Sequence, residues 1–392
     1  MRYDFDTVID RRGTDSLKWD SGKSDMLPMW VADMDLPVAP EIMDALKKRL
    51  EHPILGYSIK SDDYFSAVMG WFSRRYQWQM KPEWICHAPG IVAGLHFIVQ
   101  AFTKLTDKVL SLAPAYYQFY KAAEDNGREC LRCPLVVENN RYVVDYQRFE
   151  EMAAREDVTL FLLCNPHNPG GRCWTAEELR RLAEICQRHG VLVVSDEIHC
   201  DLALDGNRYC PYAVAAGEEL MENAIVCVAP SKSFNLAGLQ TSCVVIPNEK
   251  IRAAYDQKLL TLGIKRPNAL GMVAMIAAYT QGEPWLQACT AYLTENFRFM
   301  KEYLAAYIPE FKPMDMEATY LAWIDVSGLG GEPGAYHGYQ ERVGKLWLDG
   351  GSMFGAEGVN YERLNFACSR ATLTDALERM RRSADAMRED LR

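Results

Sequence analysis

Between residues 84 and 250, short apolar runs alternate with stretches whose apolar positions recur at helical spacing. That alternation predicts strands and helices in turn. The clearest unit is 159–198. "TLFLLCN" reads as a strand buried on both faces, "PHNPGGR" as a loop, and "TAEELRRLAEICQRHG" as an amphipathic helix. Thr175 and Glu178 stand at capping-box spacing, and Gly190 supplies the stop. "VLVVSDEI" is the next buried strand, and a strand–helix–strand of this kind crosses over right-handed. The pattern predicts an α/β fold with a mainly parallel sheet. Toward the end of the chain the rhythm changes. "GEPWLQACTAYLTENFRFMKEYLAAYI" predicts one long amphipathic helix, while "ATYLAWIDVSG" and "ERLNFACSR" predict separate strands. This reading gives a large domain over 45–285 and a smaller α/β domain built from both termini, 1–44 and 286–392.

Length supports two domains, because 392 residues exceed the ~250–300 at which single cores stop growing. With 49% hydrophobic and 24% charged residues, the composition is that of a soluble globular protein. The net charge is −10 and no Lys/Arg block stands out, so a nucleic-acid partner is not expected. The opening "MRYDFDTVIDRRG" is too charged for a signal peptide, and no apolar run reaches the ~18 residues of a membrane span. The expectation is a cytoplasmic protein with no membrane partner. Of twelve cysteines only Cys130 and Cys133 form a C-x-x-C, without a second pair, and the seven histidines form no H-E-x-x-H. Reduced thiols are expected, and a metal site is not.

In an open parallel sheet, ligands bind beyond the carboxyl ends of strands. Four polar constellations fall there. In "HAPGIVAGLHFIVQAF" the strand "WICH" breaks at Pro89-Gly90 and a helix begins near Val92. Its free N–H groups suit an anion, although an ordinary glycine-rich turn reads the same way. In "NPHNPGG", Asn168 is either a turn residue or an amide donor to a ligand. In "VVSDEIHCD", Asp196 closes a core strand, where a carboxylate is costly without a cation. No helix start follows for it to cap, so a ligand cation explains it better. In "CVAPSKSFNLAGLQ", Lys232 follows an apolar run and is either a surface charge or a placed nucleophile. An amine, a buried acid, an amide donor and a phosphate cradle are together what pyridoxal phosphate requires.

The ordered set "PAYYQFY", "NPHNPGG", "SDEIHCD", "PSKSFNLAGLQ" and "NFACSR" resembles the fold-type-I pyridoxal-phosphate enzymes of the class I/II aminotransferase family. With "MWVADMD", "DEIH" and "FNLAGLQ", the chain looks most like the MalY/PatB-type cystathionine β-lyases, or C–S lyases. The likeness runs from "PMWVADMDLPVAPEI" to "NFACSRATL". It implies that Lys232 bonds to the cofactor aldehyde and also serves as the catalytic base, which needs an amine less basic than a free lysine. By the same likeness Asp196 pairs with the pyridine nitrogen, Asn168 meets the ring hydroxyl and the substrate, and His199 lies beside the cofactor where aminotransferases commonly carry tyrosine. Tyr116 is implied to stack on the ring, with Tyr117 next to it among the catalytic groups. Ile91 and Val92 are implied to offer backbone N–H groups to the phosphate, helped by a hydroxyl from Ser231 or Ser233. Arg370 matches the arginine that grips the substrate α-carboxylate, a task suited to a bidentate fork. Tyr57 resembles a tyrosine that reaches the phosphate of the neighbouring subunit, which makes a homodimer the catalytic unit.

Plainer readings stand beside these: Tyr116 and Tyr117 as core, His199 as a core histidine, Arg370 as a surface charge. Three positions depart from the wider family. Gln240 stands where arginine is frequent, Ala229 where serine is, and Gly170 replaces a bulkier residue, which is expected to loosen its loop. Trp30, Asp33 and "GIKRPN" are candidates for recognising the distal part of a substrate. The implied activity is β-elimination from cystathionine or cysteine S-conjugates. An aminotransferase shares every cofactor residue, and a cofactor-binding regulator that docks to a partner protein is the reading from another class.

Overall fold

The computed structural model describes residues 3–264 and 266–392. Helices Pro40–Leu50 (α1) and Asp62–Tyr76 (α2) lead into strand Ile85–Ala88 (β1) and helix Ile91–Phe102 (α3). Strands Lys108–Ala113 (β2), Glu129–Glu138 (β3), Arg141–Val144 (β4) and Val158–Cys164 (β5) follow. After helix Ala176–His189 (α4) come strands Leu192–Asp196 (β6), Ala224–Val228 (β7) and Ser242–Val245 (β8). These eight strands form one sheet in the order β1-β8-β7-β6-β5-β2-β3-β4. Neighbours from β7 through β3 are parallel, while β4 runs antiparallel to β3. Strand β8 is antiparallel to both β7 and β1, which turns β1 the same way as the parallel set. The carboxyl ends of β1, β7, β6, β5 and β2 therefore open on one edge.

The sequence pattern explains this sheet. Along β5, Leu160, Leu162 and Cys164 enter one apolar cluster while Phe161 and Leu163 enter the other. Side chains alternate across a strand, so a continuous apolar run belongs in a sheet covered on both faces. The ends of α4 are set as the sequence predicts. The Thr175 hydroxyl accepts the Glu178 N–H at 3.2 Å, the Glu178 carboxylate accepts the Thr175 N–H at 2.8 Å, and Gly190 closes the helix at φ 68°. Cys130 and Cys133 lie on one strand but in different apolar clusters, so their thiols cannot meet. All twelve cysteines are free.

Helices Ala269–Gln281 (α5) and Glu283–Tyr307 (α6) lead to the antiparallel strands Leu321–Asp325 (β9) and Tyr361–Asn365 (β10), and helix Arg370–Asp390 (α7) follows. The pair lies in a separate four-stranded sheet whose outer strands are Lys312–Pro313 and Asp349–Gly350. The N-terminal segment joins this half of the chain through parallel pairing of Leu27–Pro28 with Leu346–Trp347. No helix among the described residues is long and apolar enough to cross a membrane.

Candidate active site

Asp196 is the last residue of β6, level with Cys164 on β5 and Cys227 on β7. Asn168 and Lys232 lie just past those two neighbours, so the register alone brings amide, acid and amine to one edge. Burial raises the Asp196 carboxyl to about 7, against the Ile198 N–H at 3.1 Å and the charge of Lys232. Burial also lowers the Lys232 ammonium to about 8; Asp33 and Asp196 pull it upward and Arg363 pushes it further down. Amine and acid thus lie near enough at this edge for each to act on the other's proton. The ammonium donates to the Ala32 carbonyl, which also accepts the Tyr320 hydroxyl at 3.0 Å.

Ala32 belongs to a strap, residues 29–36, pinned by backbone bonds at Met29 and Asp35 and by distant side chains between them. The Asn365 amide donates to the carbonyls of Val31 at 2.7 Å and Asp33 at 2.6 Å. The Asn235 amide donates to those of Met34 and Leu36, each at 3.0 Å, and its oxygen accepts the Met34 N–H. Asp33 is neutralised by Arg11, whose fork meets both carboxylate oxygens at 3.1 and 2.8 Å.

His199 is buried and neutral: burial lowers it to about 3, and the charges of Lys232 and Arg363 act in the same direction. Its ring stands edge-on to Tyr320 at 6.2 Å. Tyr116 lies within reach of the charges of Arg363 and Asp196, and burial raises its hydroxyl. The Tyr117 ring is 5.0 Å from that of Tyr116 and 6.1 Å from Phe354. Gly90 turns the chain at φ 91° into α3, whose first residues Ile91 and Val92 have no side-chain cap before them. The amides of a first helical turn lack intrahelical acceptors and favour an anion. Ser231 is buried next to Lys232.

Three sequence expectations need correction. Arg370 is not in the pocket. Its Nε donates to Asn296 at 2.9 Å and its guanidinium lies over Phe299 at 4.4 Å, both on α6. The pocket's arginine is Arg363, whose Nη1 donates to Asn168 Oδ1 at 3.1 Å. Its Nη2 pairs with buried Asp349 and donates to the Trp30 carbonyl at 3.1 Å. Ser233, offered as an alternative to Ser231, points its hydroxyl at Asp201, 2.8 Å away. Gly170 does not loosen its loop: a Cβ there would come within 2.6 Å of Tyr142 Cδ2 and 2.9 Å of His167 Nδ1. Tyr57 lies on an extended segment and is 98% exposed, outside the pocket of its own chain. Lys265 of "GIKRPN" falls outside the described residues. Arg363 and Tyr320 were not anticipated, and of the strap only Trp30 and Asp33 were named, as candidates for distal recognition.

The residues present fit pyridoxal phosphate. Asp196 is a buried acid suited to a cationic ring nitrogen. Asn168 has its oxygen committed to Arg363, which leaves its N–H groups for a ring oxygen. The first turn of α3 suits a phosphate. His199 Nδ1 and Arg363 Nε are buried without a hydrogen-bond partner among the described residues. Native proteins rarely leave such atoms unsatisfied.

The chain matches the family model "Aminotransferase class I and II" over residues 24–380. Cystathionine beta-lyase PatB of Bacillus subtilis is 41% identical over 382 residues, which is 96% of this chain and 98% of that protein. Cystalysin from Treponema denticola, solved with a pyridoxal 5'-phosphate cofactor, is 32% identical with a TM-score of 0.94, covering 100% of both chains. The PLP-bound C-S lyase from Staphylococcus hominis is 32% identical with a TM-score of 0.92, covering 97% of this chain and 98% of that one.

Proposed function

From the premise that the chain belongs to the class I and II aminotransferase family, we propose that it is a pyridoxal-phosphate-dependent carbon–sulfur lyase. It eliminates a thiol from the β carbon of cystathionine or cysteine S-conjugates and leaves pyruvate and ammonia. The observation that carries the cofactor part of this reading is the meeting of Lys232, Asp196 and Asn168 at one strand edge, with Arg363 reaching Asn168 from β10. Likeness to PatB and to the two cofactor-holding structures favours elimination over amino transfer.

When bound, the cofactor supplies an aldehyde for the substrate amine and a ring that takes up the electron pair left by the departing Cα proton. Lys232 takes that proton. An amine at about 8 is partly unprotonated near neutral pH, whereas an ordinary lysine titrates near ~10.4. Asp196 holds the proton on the ring nitrogen, since a buried carboxylate favours a cation beside it. Arg363 takes the α-carboxylate, and Asn168 donates to the ring hydroxyl. The start of α3 and the Ser231 hydroxyl hold the phosphate, and Tyr116 covers the ring. The thiolate leaves with the electrons of the Cβ–S bond. The unsaturated amino acid that remains takes up water and yields pyruvate and ammonia.

The second copy in this reading covers an exposed apolar arm: Ile54, Leu55, Tyr57 and Ile59 are 67%, 64%, 98% and 68% exposed. Clustered exposure of this kind marks an interaction surface, and Tyr57 then serves the partner's site. The test is incubation with cystathionine, cystine and alanine, in parallel without and with an added 2-oxo acid. Pyruvate formed in step with thiol release supports the proposal. Amino transfer to an added 2-oxo acid with no thiol release contradicts it.

A further inference from the structure

Asp201 ends the turn that follows Asp196 and carries His199, and its carboxylate is wholly buried. Its Oδ1 accepts the Trp71 indole N–H at 3.0 Å and the Tyr76 hydroxyl at 2.6 Å, with Arg75 Nε 3.5 Å away. These three residues belong to the last turns of α2. Arg75 lies over the Trp71 ring at 4.8 Å and is held by Glu283 at 2.9 Å. The other oxygen, Oδ2, accepts the hydroxyl of Ser233 at 2.8 Å. Ser233 follows Lys232 directly in the chain. One carboxylate therefore ties the chain at Lys232 to the turn that follows Asp196 and bears His199, and anchors both on α2.

A packing staple between α2 and the sheet needs only Trp71, Arg75 and Tyr76, which already satisfy one side of the buried charge. The bond to Ser233 satisfies the second oxygen and extends the staple to the chain at Lys232. It also restrains the backbone from which the Lys232 side chain extends. That side chain is an arm of roughly 6 Å built from bonds of ~1.5 Å. A backbone tilt of ~10° moves its amine by about 1 Å, and a misplacement of that size can cost about a hundredfold in rate. The carboxylates whose charge pulls on the Lys232 proton are Asp33 and Asp196, so Asp201 acts on where the amine sits. We propose that Asp201 is a positioning residue: through the Ser233 hydroxyl it sets Lys232 relative to Asp196. The inference rests on the pyridoxal-phosphate reading above.

The experiment compares Ser233→Ala, Asp201→Asn and the double variant, each as the full chain. It measures the thermal unfolding midpoint, the rate at which cofactor-free protein captures pyridoxal phosphate, and kcat and KM for cystathionine. Ser233→Ala should lower the midpoint by only a few degrees, slow cofactor capture by about tenfold, and lower kcat similarly with KM unchanged. Asp201→Asn should act in the same direction, and the double variant should be no slower than Asp201→Asn alone, because both changes break one link. Wild-type capture by Ser233→Ala, or slowing factors that multiply in the double variant, would overturn the inference. If the wild type captures cofactor but releases no pyruvate, the lyase reading fails, while the capture rates still decide the role of Asp201. If the wild type captures none, both fail.

Discussion

A lysine enclosed by protein gives up its proton more readily than one in water, because burial removes the hydration that favours the charged form. In Lys232 this outweighs the pull of Asp33 and Asp196, and the amine settles at about 8. Only the unprotonated amine is a nucleophile. Acylation of Lys232 in the cofactor-free protein, followed by peptide mass spectrometry, should therefore rise with pH and level off around a midpoint near 8. A midpoint near the ordinary ~10.4 would contradict the account. Arg363 and Arg370 separate the same way. Arg363→Lys keeps a charge beside Asp349 but loses the planar fork, and charge-assisted bonds contribute ~1.5–3 kcal/mol. KM should rise by about ten- to a hundredfold. Arg370→Lys, remote from the pocket, should leave KM nearly unchanged, and the reverse pattern would restore the sequence-based assignment. Both arginines stand in "ERLNFACSR". Arg363 was legible in principle: a charge between Glu362 and Leu364 in a predicted strand has to be buried with a partner. Its partners Asp349 and Asn168 come from other elements, and no local pattern reveals that register.

Elements whose signals are local were readable, and those held by distant contacts were not. The strands feeding the pocket, the capping box of α4 and the start of α3 follow from runs and turns a few residues long. The strap at 29–36 has no period of its own, and its carbonyls are claimed by Asn235, Asn365, Arg363, Tyr320 and Lys232. A reading of neighbours along the chain cannot find such an element. The loop at 165–172 is the opposite lesson, because its glycine was taken as a sign of looseness. Tyr142 and His167 fill the space where a side chain would stand. Gly170→Ala should therefore lower stability by ~1–3 kcal/mol, read as a drop in thermal midpoint, and weaken cofactor affinity by shifting Asn168. A variant as stable as wild type would mean that Tyr142 yields freely.

For the whole molecule, the exposed arm around Tyr57 and the pocket make one claim about assembly. A chain whose apolar arm is covered by a second copy should sediment as a dimer. Leu55→Asp should shift it toward monomer and lower elimination activity, since each pocket then loses the partner's tyrosine. An active wild-type monomer would remove Tyr57 from the site.

Convergence at the shared strand edge is tested most directly by mixing the chain with pyridoxal phosphate, reducing with borohydride and mapping the labelled peptide. The account predicts one labelled residue, Lys232, with labelling weakened in Asp196→Asn. Label spread over surface lysines, or none at Lys232, would contradict it.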